Sequence, residues 1–136
     1  MADAPVTPLQ AEGVVVVTAL EANQLPPTRI FIDARAQYDY FVRRIASAIH
    51  VPYRERSKRQ VDFDPAKDDI PAFLKRLHKF APKKFIPLVF YCNGIHCWKS
   101  YKAVKAAIND GYQQVFWLRG GINEWVNAGL PTEGEY

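Results

Sequence analysis

The amino-acid sequence predicts an α/β fold in which a mainly parallel central sheet is flanked by helices. Short β-prone runs alternate with segments of helical periodicity along most of the chain. Two of these runs, residues 28–33 and 86–91, are apolar in their centres without alternation, as is typical of strands covered on both faces. The chain of 136 residues is long enough for one buried core and too short for two. We therefore expect a loose arm over residues 1–12 and a single domain over residues 13–136.

In the first half of the chain, the clearest local signal is a helix start. Thr18 is a suitable N-cap, and Glu21 completes a capping box, which predicts a short helix to about Gln24. Pro26 then breaks this helix. The other elements predicted here are strands over residues 13–17, 28–33 and 45–51, a short helix over residues 36–42, and a polar, exposed connection over residues 53–69.

In the second half, Pro71 stands where a helix begins, and apolar residues at spacings of three and four continue to Phe80. The apolar run 86–91 predicts a buried strand. A second helical pattern begins at about Ser100 and ends at Asp110–Gly111. The alternation is completed by a strand over residues 114–118 and a helix over residues 122–128.

The composition is that of an ordinary globular protein, with 49% hydrophobic and 24% charged residues. No apolar run approaches the roughly 18 residues of a membrane span, so none is predicted. The opening Met-Ala-Asp-Ala-Pro fits a cytoplasmic protein, which is our expectation, or a periplasmic one whose signal peptide is absent from this sequence. The net charge is only +4, and we interpret the charged cluster at residues 54–59 as a solvated loop, with an anion-binding or nucleic-acid-binding patch as the alternative. We expect no nucleic-acid partner.

Two cysteines, Cys92 and Cys97, are too few for a disulfide framework, and no second ligand pair accompanies them. We therefore expect no metal and no cofactor. Cys92 directly follows the run 86–91, and a short loop containing Gly94 leads into the next helix. In parallel sheets, reactive groups lie in loops beyond the carboxyl ends of the strands. A strand, tight loop and helix start also direct backbone N–H groups and a helix dipole toward one point, which favours a thiolate.

Cys92 is therefore the candidate nucleophile, and the alternative is a small buried residue at a strand end. The candidate anion-binding loop around it consists of Asn93, Gly94, Ile95, His96, Cys97, Trp98 and Lys99.

Three segments of the chain, which follow one another in the same order as the family signatures, resemble those of the rhodanese family. They are Ile32-Asp33-Ala34-Arg35 with residues 45–52 after it, then Val89-Phe90-Tyr91-Cys92, and finally Gly111-Tyr112 with residues 118–125 and 129–131 after it. The resemblance covers roughly residues 14–132 and implies a rhodanese-like fold. It also implies a sulfurtransferase in which Cys92 accepts a sulfane sulfur from a donor such as thiosulfate. The resulting persulfide passes the sulfur to cyanide or a thiol, so the implied partners are a small sulfur donor and a thiol acceptor, with a protein thiol as an alternative.

The loop departs from the family pattern in three respects. Ser100 lies eight positions after Cys92 rather than six, so the loop is about two residues longer. The arginine that usually ends the loop is absent, and Trp98 and Lys99 stand there; lysine supplies charge without the bidentate guanidinium geometry. The Cys97-Trp98 pair is similar to a subgroup associated with quinone-dependent catabolism.

These departures leave other functions open. One alternative is a non-enzymatic or redox-sensing module in which Cys92 and Cys97 form and break a disulfide. A less favoured alternative is an arsenate reductase or phosphatase, which shares the fold. That chemistry needs an arginine six positions after the cysteine to hold an oxyanion, and this position is Trp98.

Several loop residues have more than one interpretation. Cys97 is a packing residue at the helix start, a resolving thiol for Cys92, or the nucleophile itself. His96 is interpreted as a solvent-facing residue rather than a modulator of the thiolate. Lys99 either steers anions or is simply solvated. Trp98 is expected to shape the pocket by packing, with substrate contact as the alternative.

Outside the loop, Asp33 and Arg35 lie near a strand end. We expect them to anchor the following loop through an ion pair or hydrogen bonds, and a role in the site is the alternative. Trp117 and Trp125 are predicted core aromatics.

Overall fold

A computed structural model of the chain describes residues 5–57, 64 and 66–135. Strands and helices alternate along this part of the chain, as the sequence predicts. The strands are β1 (Val15–Val16), β2 (Ile30–Asp33), β3 (Arg44–Ile45), β4 (Ile49–His50), β5 (Leu88–Tyr91), β6 (Val115–Trp117) and β7 (Thr132–Glu133). The helices are α1 (Ala19–Asn23), α2 (Gln37–Val42), α3 (Ile70–Phe80), α4 (Trp98–Asn109) and α5 (Gly121–Asn127).

Five of the strands form one sheet in the order β1-β6-β5-β2-β4, and each neighbouring pair is parallel. The prediction of a mainly parallel sheet flanked by helices is confirmed. Strand β5 lies in the centre, where Phe90 pairs with Ile32 of β2 and with Trp117 of β6. Because the strands are parallel, their carboxyl ends lie at one edge of the sheet. Cys92 directly follows β5 at this edge.

The apolar character of β5 follows from its burial on both faces. Leu88 and Phe90 belong to a core cluster that includes residues of α3 and α4, whereas Val89 and Tyr91 pack with residues of α1 and α5. Successive side chains of a strand point to opposite faces of the sheet, so a strand covered on both sides needs apolar residues throughout. Helices on both faces therefore enclose the strand that ends at Cys92.

The local signals predict several element boundaries correctly. At the start of α1, the Glu21 N–H donates to the Thr18 hydroxyl at 3.1 Å, and the Thr18 N–H donates to the Glu21 carboxylate at 2.8 Å. This confirms the capping box. Pro71 lies in the first turn of α3, as predicted. Helix α4 begins at Trp98, two residues before the predicted start at Ser100.

The strand predicted over residues 45–51 is divided in the structure. Ser47 adopts a positive φ of 70°, and this turn separates β3 from β4. Strand β4 joins the main sheet, whereas β3 pairs antiparallel with β7, which the sequence pattern does not predict. The Ile45–Thr132 pairing joins residues far apart in the chain, and so short an edge pair carries little periodicity.

The connection expected to be exposed over residues 53–69 is partly buried. Residues 58–63 and 65 lie outside the described residues, but Tyr53, Ser57 and Asp68 are buried. The Asp68 carboxylate accepts hydrogen bonds from the Tyr53 hydroxyl at 2.7 Å, the Ser57 hydroxyl at 2.6 Å, and the N–H groups of Arg56 and Ser57 at 2.7 Å. The prediction is wrong for these residues because one buried carboxylate gathers the polar groups of the segment around it.

Candidate active site

Cys92 and Cys97 are joined by a disulfide bond across the loop that follows β5. Their Cα atoms are 6.2 Å apart, which lies within the range of natural disulfides. Cys92 is only 1% exposed, whereas Cys97 is half-buried and forms the N-cap of α4. The Cys97 N–H donates to the Gly94 carbonyl at 3.0 Å and closes the loop. The bond shows that the sulfurs of Cys92 and Cys97 meet within the loop, and the role of Cys97 stays a prediction.

Ser100, in the first turn of α4, directs two polar groups at the Cys92 sulfur. Its N–H donates to Cys92 Sγ at 3.4 Å, and its Oγ lies 3.1 Å from the same sulfur. The Trp117 indole N–H donates to Ser100 Oγ at 2.9 Å. Because an indole N–H is a donor only, it occupies a lone pair of the hydroxyl and leaves the hydroxyl proton for the sulfur. Two donors at a buried sulfur favour its thiolate form when the disulfide is open.

A cavity of about 670 Å³ adjoins the loop. All seven residues of the predicted anion-binding loop line this cavity: Asn93, Gly94, Ile95, His96, Cys97, Trp98 and Lys99. The lining also contains residues that the sequence did not single out for the site: Glu55, Gly120, Asn123, Glu124 and Asn127. Cys92 is buried and is not among the lining residues, whereas its disulfide partner Cys97 is.

The start of the loop is held by backbone hydrogen bonds from α5. The Ile122 N–H donates to the Cys92 carbonyl at 2.9 Å, and the Asn123 N–H donates to the Asn93 carbonyl at 3.1 Å. Gly121 precedes them with a φ of +63°, and a Cβ there would collide with the Cys92 carbonyl and the Asn93 peptide. Glycine is therefore required for α5 to approach the loop this closely.

Asp33 and Arg35 anchor the loop, as expected. The Arg35 guanidinium pairs with the Asp33 carboxylate at 2.8 Å and donates to the Asn93 side-chain oxygen at 3.2 Å. The Tyr91 hydroxyl also donates to Asp33, at 2.8 Å. Burial and the nearby Asp33 carboxylate raise the pKa of Tyr91 well above its ordinary value, so its hydroxyl remains a donor. These contacts fix the carboxyl ends of β2 and β5 relative to the loop.

The arm predicted to be loose is attached to this loop over residues 5–8, which we call the N-terminal strap. Residues 1–4 lie outside the described residues. Thr7 is 3% exposed, and both its N–H and its hydroxyl donate to the Ile95 carbonyl, at 2.8 and 2.9 Å. The Trp98 indole N–H donates to the Pro5 carbonyl at 2.9 Å. The strap therefore holds the tip and the end of the loop.

Arg119, which follows β6, also binds the strap. Its guanidinium donates to the Pro8 carbonyl at 2.9 Å and to the Thr7 carbonyl at 2.7 Å. The Arg119 guanidinium thus provides hydrogen bonds to two backbone carbonyls of the strap. The amino-acid composition of the arm does not predict this contact.

The cavity contains few positive charges. Lys99 is half-buried and lines this cavity and a second one of about 640 Å³, whose lining includes Arg54, Arg56 and Arg76. Among the described residues, no arginine lines the first cavity. His96 is exposed, in agreement with a solvent-facing loop residue. Trp98 is 6% exposed and packs edge-on against Tyr101, so it shapes the wall by packing, as expected.

Glu55 and Lys102 form a buried ion pair that the sequence pattern does not predict. Lys102 Nζ lies 2.8 Å from a Glu55 carboxylate oxygen and donates to the Ser57 hydroxyl at 2.9 Å. Lys102 is completely buried, although a lysine in a basic protein is usually solvated. Lys102 lies four residues after the buried Trp98, and this helical spacing places both on the same side of α4. The spacing is a sequence signal for the burial of Lys102. The pair attaches α4 to the segment that forms one wall of the cavity.

Trp117 and Trp125 are core aromatics, as predicted, with exposures of 0% and 2%. No cluster of three or more His, Cys, Asp or Glu side chains within the described ranges could hold a metal ion. Likewise, none of the helices in the part of the chain that the structure describes has the length and apolar character needed to cross a membrane.

Comparison with known proteins agrees with this architecture. A tRNA uridine(34) hydroxylase of Salmonella arizonae is 31% identical over 121 residues, which cover 84% of this chain and 30% of that protein. The chain thus spans under a third of the length of the curated relatives it matches. A thiosulfate sulfurtransferase of Pseudomonas aeruginosa matches with a TM-score of 0.66 at 20% identity over 90% of this chain and 21% of that chain.

The polysulfide-sulfur transferase of Wolinella succinogenes matches with a TM-score of 0.62 at 17% identity over 90% of this chain and 80% of that chain. At these identities, the two structures support the fold alone. The family model described as Rhodanese-like domain matches residues 16–128, which is most of the chain. Together with the parallel sheet and the cysteine at the end of its central strand, this match shows that the chain belongs to the rhodanese-like domain family.

Proposed function

We propose that the protein is a sulfurtransferase in which Cys92 carries a sulfane sulfur as a persulfide. The main support is the setting of the Cys92 sulfur, which follows the central strand and faces two hydrogen-bond donors of Ser100. Its disulfide partner Cys97 lies on the wall of the cavity, so a group bonded to Cys92 in place of Cys97 can reach that space.

The proposed reaction has two displacements. The Cys92 thiolate attacks the outer sulfur of thiosulfate, the S–S bond of thiosulfate breaks, and sulfite leaves with the bonding electron pair. An acceptor thiolate or cyanide then takes the outer sulfur from Cys92, and the Cys92 thiolate leaves. The Ser100 donors stabilise this thiolate in both steps.

The donor is expected to bind weakly if it is thiosulfate. The cavity contains the Lys99 ammonium but, among the described residues, no guanidinium to hold an oxyanion in two-point contact. Glu124 also lines the cavity and opposes anions, whereas the charge of Glu55 is paired with Lys102. A persulfide donor of lower charge fits this lining better than thiosulfate does.

The disulfide favours a second candidate, a redox-sensing module. With Cys97 bonded to it, Cys92 Sγ has no valence left for a sulfane sulfur. Oxidation would therefore switch sulfur carriage off, and a non-enzymatic module would use this change alone.

Phosphatase and arsenate reductase chemistry gain no support from the site. The position six residues after Cys92 is Trp98, which packs on Tyr101. Arg35 and Arg119 are near the loop, but Arg35 is paired with Asp33 and Arg119 binds carbonyls of the strap. Neither guanidinium is placed to hold a substrate oxyanion over the cysteine.

Turnover assays on the reduced protein test the proposal. Thiosulfate:cyanide transfer, transfer from a small-molecule persulfide, and hydrolysis of a phosphate ester are measured side by side. We expect sustained sulfur transfer by Cys97→Ser, transfer by the parent protein until its disulfide forms, and none by Cys92→Ser. Full transfer by Cys92→Ser contradicts the proposal, whereas phosphate-ester hydrolysis that depends on Cys92 favours the phosphatase alternative.

A further inference from the structure

We propose that Cys97 releases the sulfur carried by Cys92 as hydrosulfide and that the Cys92–Cys97 disulfide is the other product of this step. The inference rests on the proposed function, because it requires a persulfide on Cys92. It adds a second activity to sulfur transfer, the reduction of a sulfane sulfur to sulfide within one chain. An external dithiol would then reopen the disulfide and complete the cycle.

The geometry of the loop supports attack by Cys97 on the inner sulfur of the persulfide. The two sulfurs are bonded while β5 and α4 remain intact on either side of the loop. The Cys97 N–H still bonds to the Gly94 carbonyl, and α5 still holds the Cys92 carbonyl. Cys97 therefore reaches Cys92 Sγ within the folded site, without local unfolding.

The positions of the two cysteines give them different roles. Cys92 is buried under the loop, whereas Cys97 is half-buried on the wall of the cavity. Cys97 is also the N-cap of a helix of 12 residues, whose dipole favours a thiolate at that end. Hydrosulfide released beside Cys97 enters the cavity, where Lys99 supplies a positive charge.

The step balances in atoms and electrons. The Cys97 thiolate supplies the electron pair of the new S–S bond to Cys92 Sγ. The bond between Cys92 Sγ and the sulfane sulfur breaks, and its electron pair leaves with hydrosulfide, a leaving group of low basicity. The sulfane sulfur is reduced by two electrons, and the two cysteines are together oxidised to the disulfide.

The strap explains how Cys97 is kept ready for this step. The Ile95 carbonyl, two residues before Cys97, accepts two hydrogen bonds from Thr7, and Trp98 on its other side binds the Pro5 carbonyl. The longer loop is thereby fixed on both sides of the second cysteine. Fixing a nucleophile near its target lowers the entropy cost of an intramolecular attack.

A single-turnover experiment tests the inference. The protein is fully reduced, freed of reductant without oxygen, and given a stoichiometric amount of thiosulfate or, in a second arm, glutathione persulfide. Free sulfide and the intact mass are then measured. We expect the parent protein to release a stoichiometric amount of sulfide and to end with the mass of two hydrogen atoms less. Cys97→Ser and Cys97→Ala should release none and keep the mass of one extra sulfur atom.

The outcomes separate this inference from the proposed function. A parent protein that keeps the added sulfur and releases no sulfide overturns the inference and leaves Cys92 as a sulfur carrier. If the Cys97 variants gain no sulfur from either donor, the proposed function fails and the inference falls with it. Cys92→Ser, which retains Cys97, serves as the matched control and should neither bind sulfur nor release sulfide.

Discussion

At the scale of single residues, we expect the proposed reactivity of Cys92 to depend on Ser100 and on the orientation of its hydroxyl. The sulfur is buried, so water contributes little to the stability of a thiolate there. The Ser100 N–H and hydroxyl replace part of that solvation, and the Trp117 indole fixes the hydroxyl. We therefore expect these neutral donors to stabilise negative charge on the Cys92 sulfur, although no arginine is present in the loop.

Replacing Ser100 by alanine removes one of these donors. A hydrogen bond to a charged group contributes about 1.5–3 kcal/mol, so we expect Ser100→Ala to slow sulfur loading of Cys92 by about tenfold or more. The measurement is the initial rate of sulfite release from thiosulfate by reduced protein. Trp117→Phe keeps the serine but frees its hydroxyl, and should give a smaller decrease. Equal rates for Ser100→Ala and the parent protein would show that the hydroxyl has no such role.

Asp68 makes stability depend on pH in the acidic range. Burial alone would raise the pKa of Asp68, but hydrogen bonds from Ser57, Tyr53 and the backbone outweigh it and hold the pKa well below its usual range. A lowered pKa in the folded state stabilises the protein above the ordinary carboxylate pKa of about 4, and this stabilisation is lost as the pH falls through the lower folded-state value.

We therefore expect Asp68→Asn to lower the free energy of unfolding by about 2–3 kcal/mol at neutral pH. The difference from the parent protein should shrink below about pH 4, where the unfolded chain begins to bind the proton. Urea unfolding at a series of pH values measures this. Asp69→Asn is a matched control, because Asp69 is exposed and asparagine tolerates its left-handed backbone. A pH-independent difference for Asp68→Asn would exclude titration of this carboxylate as the cause.

At the scale of elements, three segments hold the active-site loop. Helix α5 fixes its start, the N-terminal strap fixes its tip, and α4 begins at its end. Arg119 connects the first two of these supports, since it follows β6, precedes α5 and binds the strap carbonyls.

Arg119→Ala should release the strap. Two hydrogen bonds from a cation to half-buried carbonyls are lost, so we expect a decrease of about 1–3 kcal/mol in the free energy of unfolding. Amide hydrogen exchange at residues 95–98 should become faster. Lys75→Ala, which removes an exposed cation of α3, is the control and should change neither quantity. Unchanged exchange in Arg119→Ala would mean that the loop does not need the strap.

The ion pair between α4 and the cavity wall gives another element-scale prediction. Lys102→Met removes the cation paired with the buried Glu55 carboxylate, and breaking such a pair typically costs about 3–5 kcal/mol. The double variant Lys102→Met with Glu55→Gln also removes the negative charge and should recover a substantial part of that loss. Thermal and urea unfolding measure both. A double variant no more stable than Lys102→Met would show that the charge on Glu55 is not the cause.

At the scale of the whole molecule, the sequence predicts the sheet and the position of Cys92 at its edge because both depend on strong local patterns. The run 86–91 is apolar since both faces of β5 are covered, and Cys92 follows it at the carboxyl edge. The capping box at Thr18 and the proline at the start of α3 are equally local. Such signals are carried by residues a few positions apart and do not require the rest of the fold.

Other features depend on contacts between distant residues and leave no periodic pattern. The strap contains prolines and resembles a loose arm, yet its carbonyls are bound by Arg119, more than a hundred residues away. Glu55 lies in a charged cluster that the sequence predicts to be solvated, and its ion pair with Lys102 explains its burial. The sequence alone does not predict the Cys92–Cys97 bond, because a spacing of five residues permits a disulfide without requiring one.

The central claim, that Cys92 is the residue that carries the sulfur, is tested most directly by locating the sulfur after loading. Reduced Cys97→Ser and Cys92→Ser proteins are treated with thiosulfate and with glutathione persulfide, and their thiols are then blocked. The proteins are digested, and the masses of the cysteine-containing peptides are measured by mass spectrometry. We predict one added sulfur atom on the peptide containing Cys92 in Cys97→Ser, and none in Cys92→Ser. Sulfur found on Cys97 in Cys92→Ser, together with an unmodified Cys92 in Cys97→Ser, would contradict the claim.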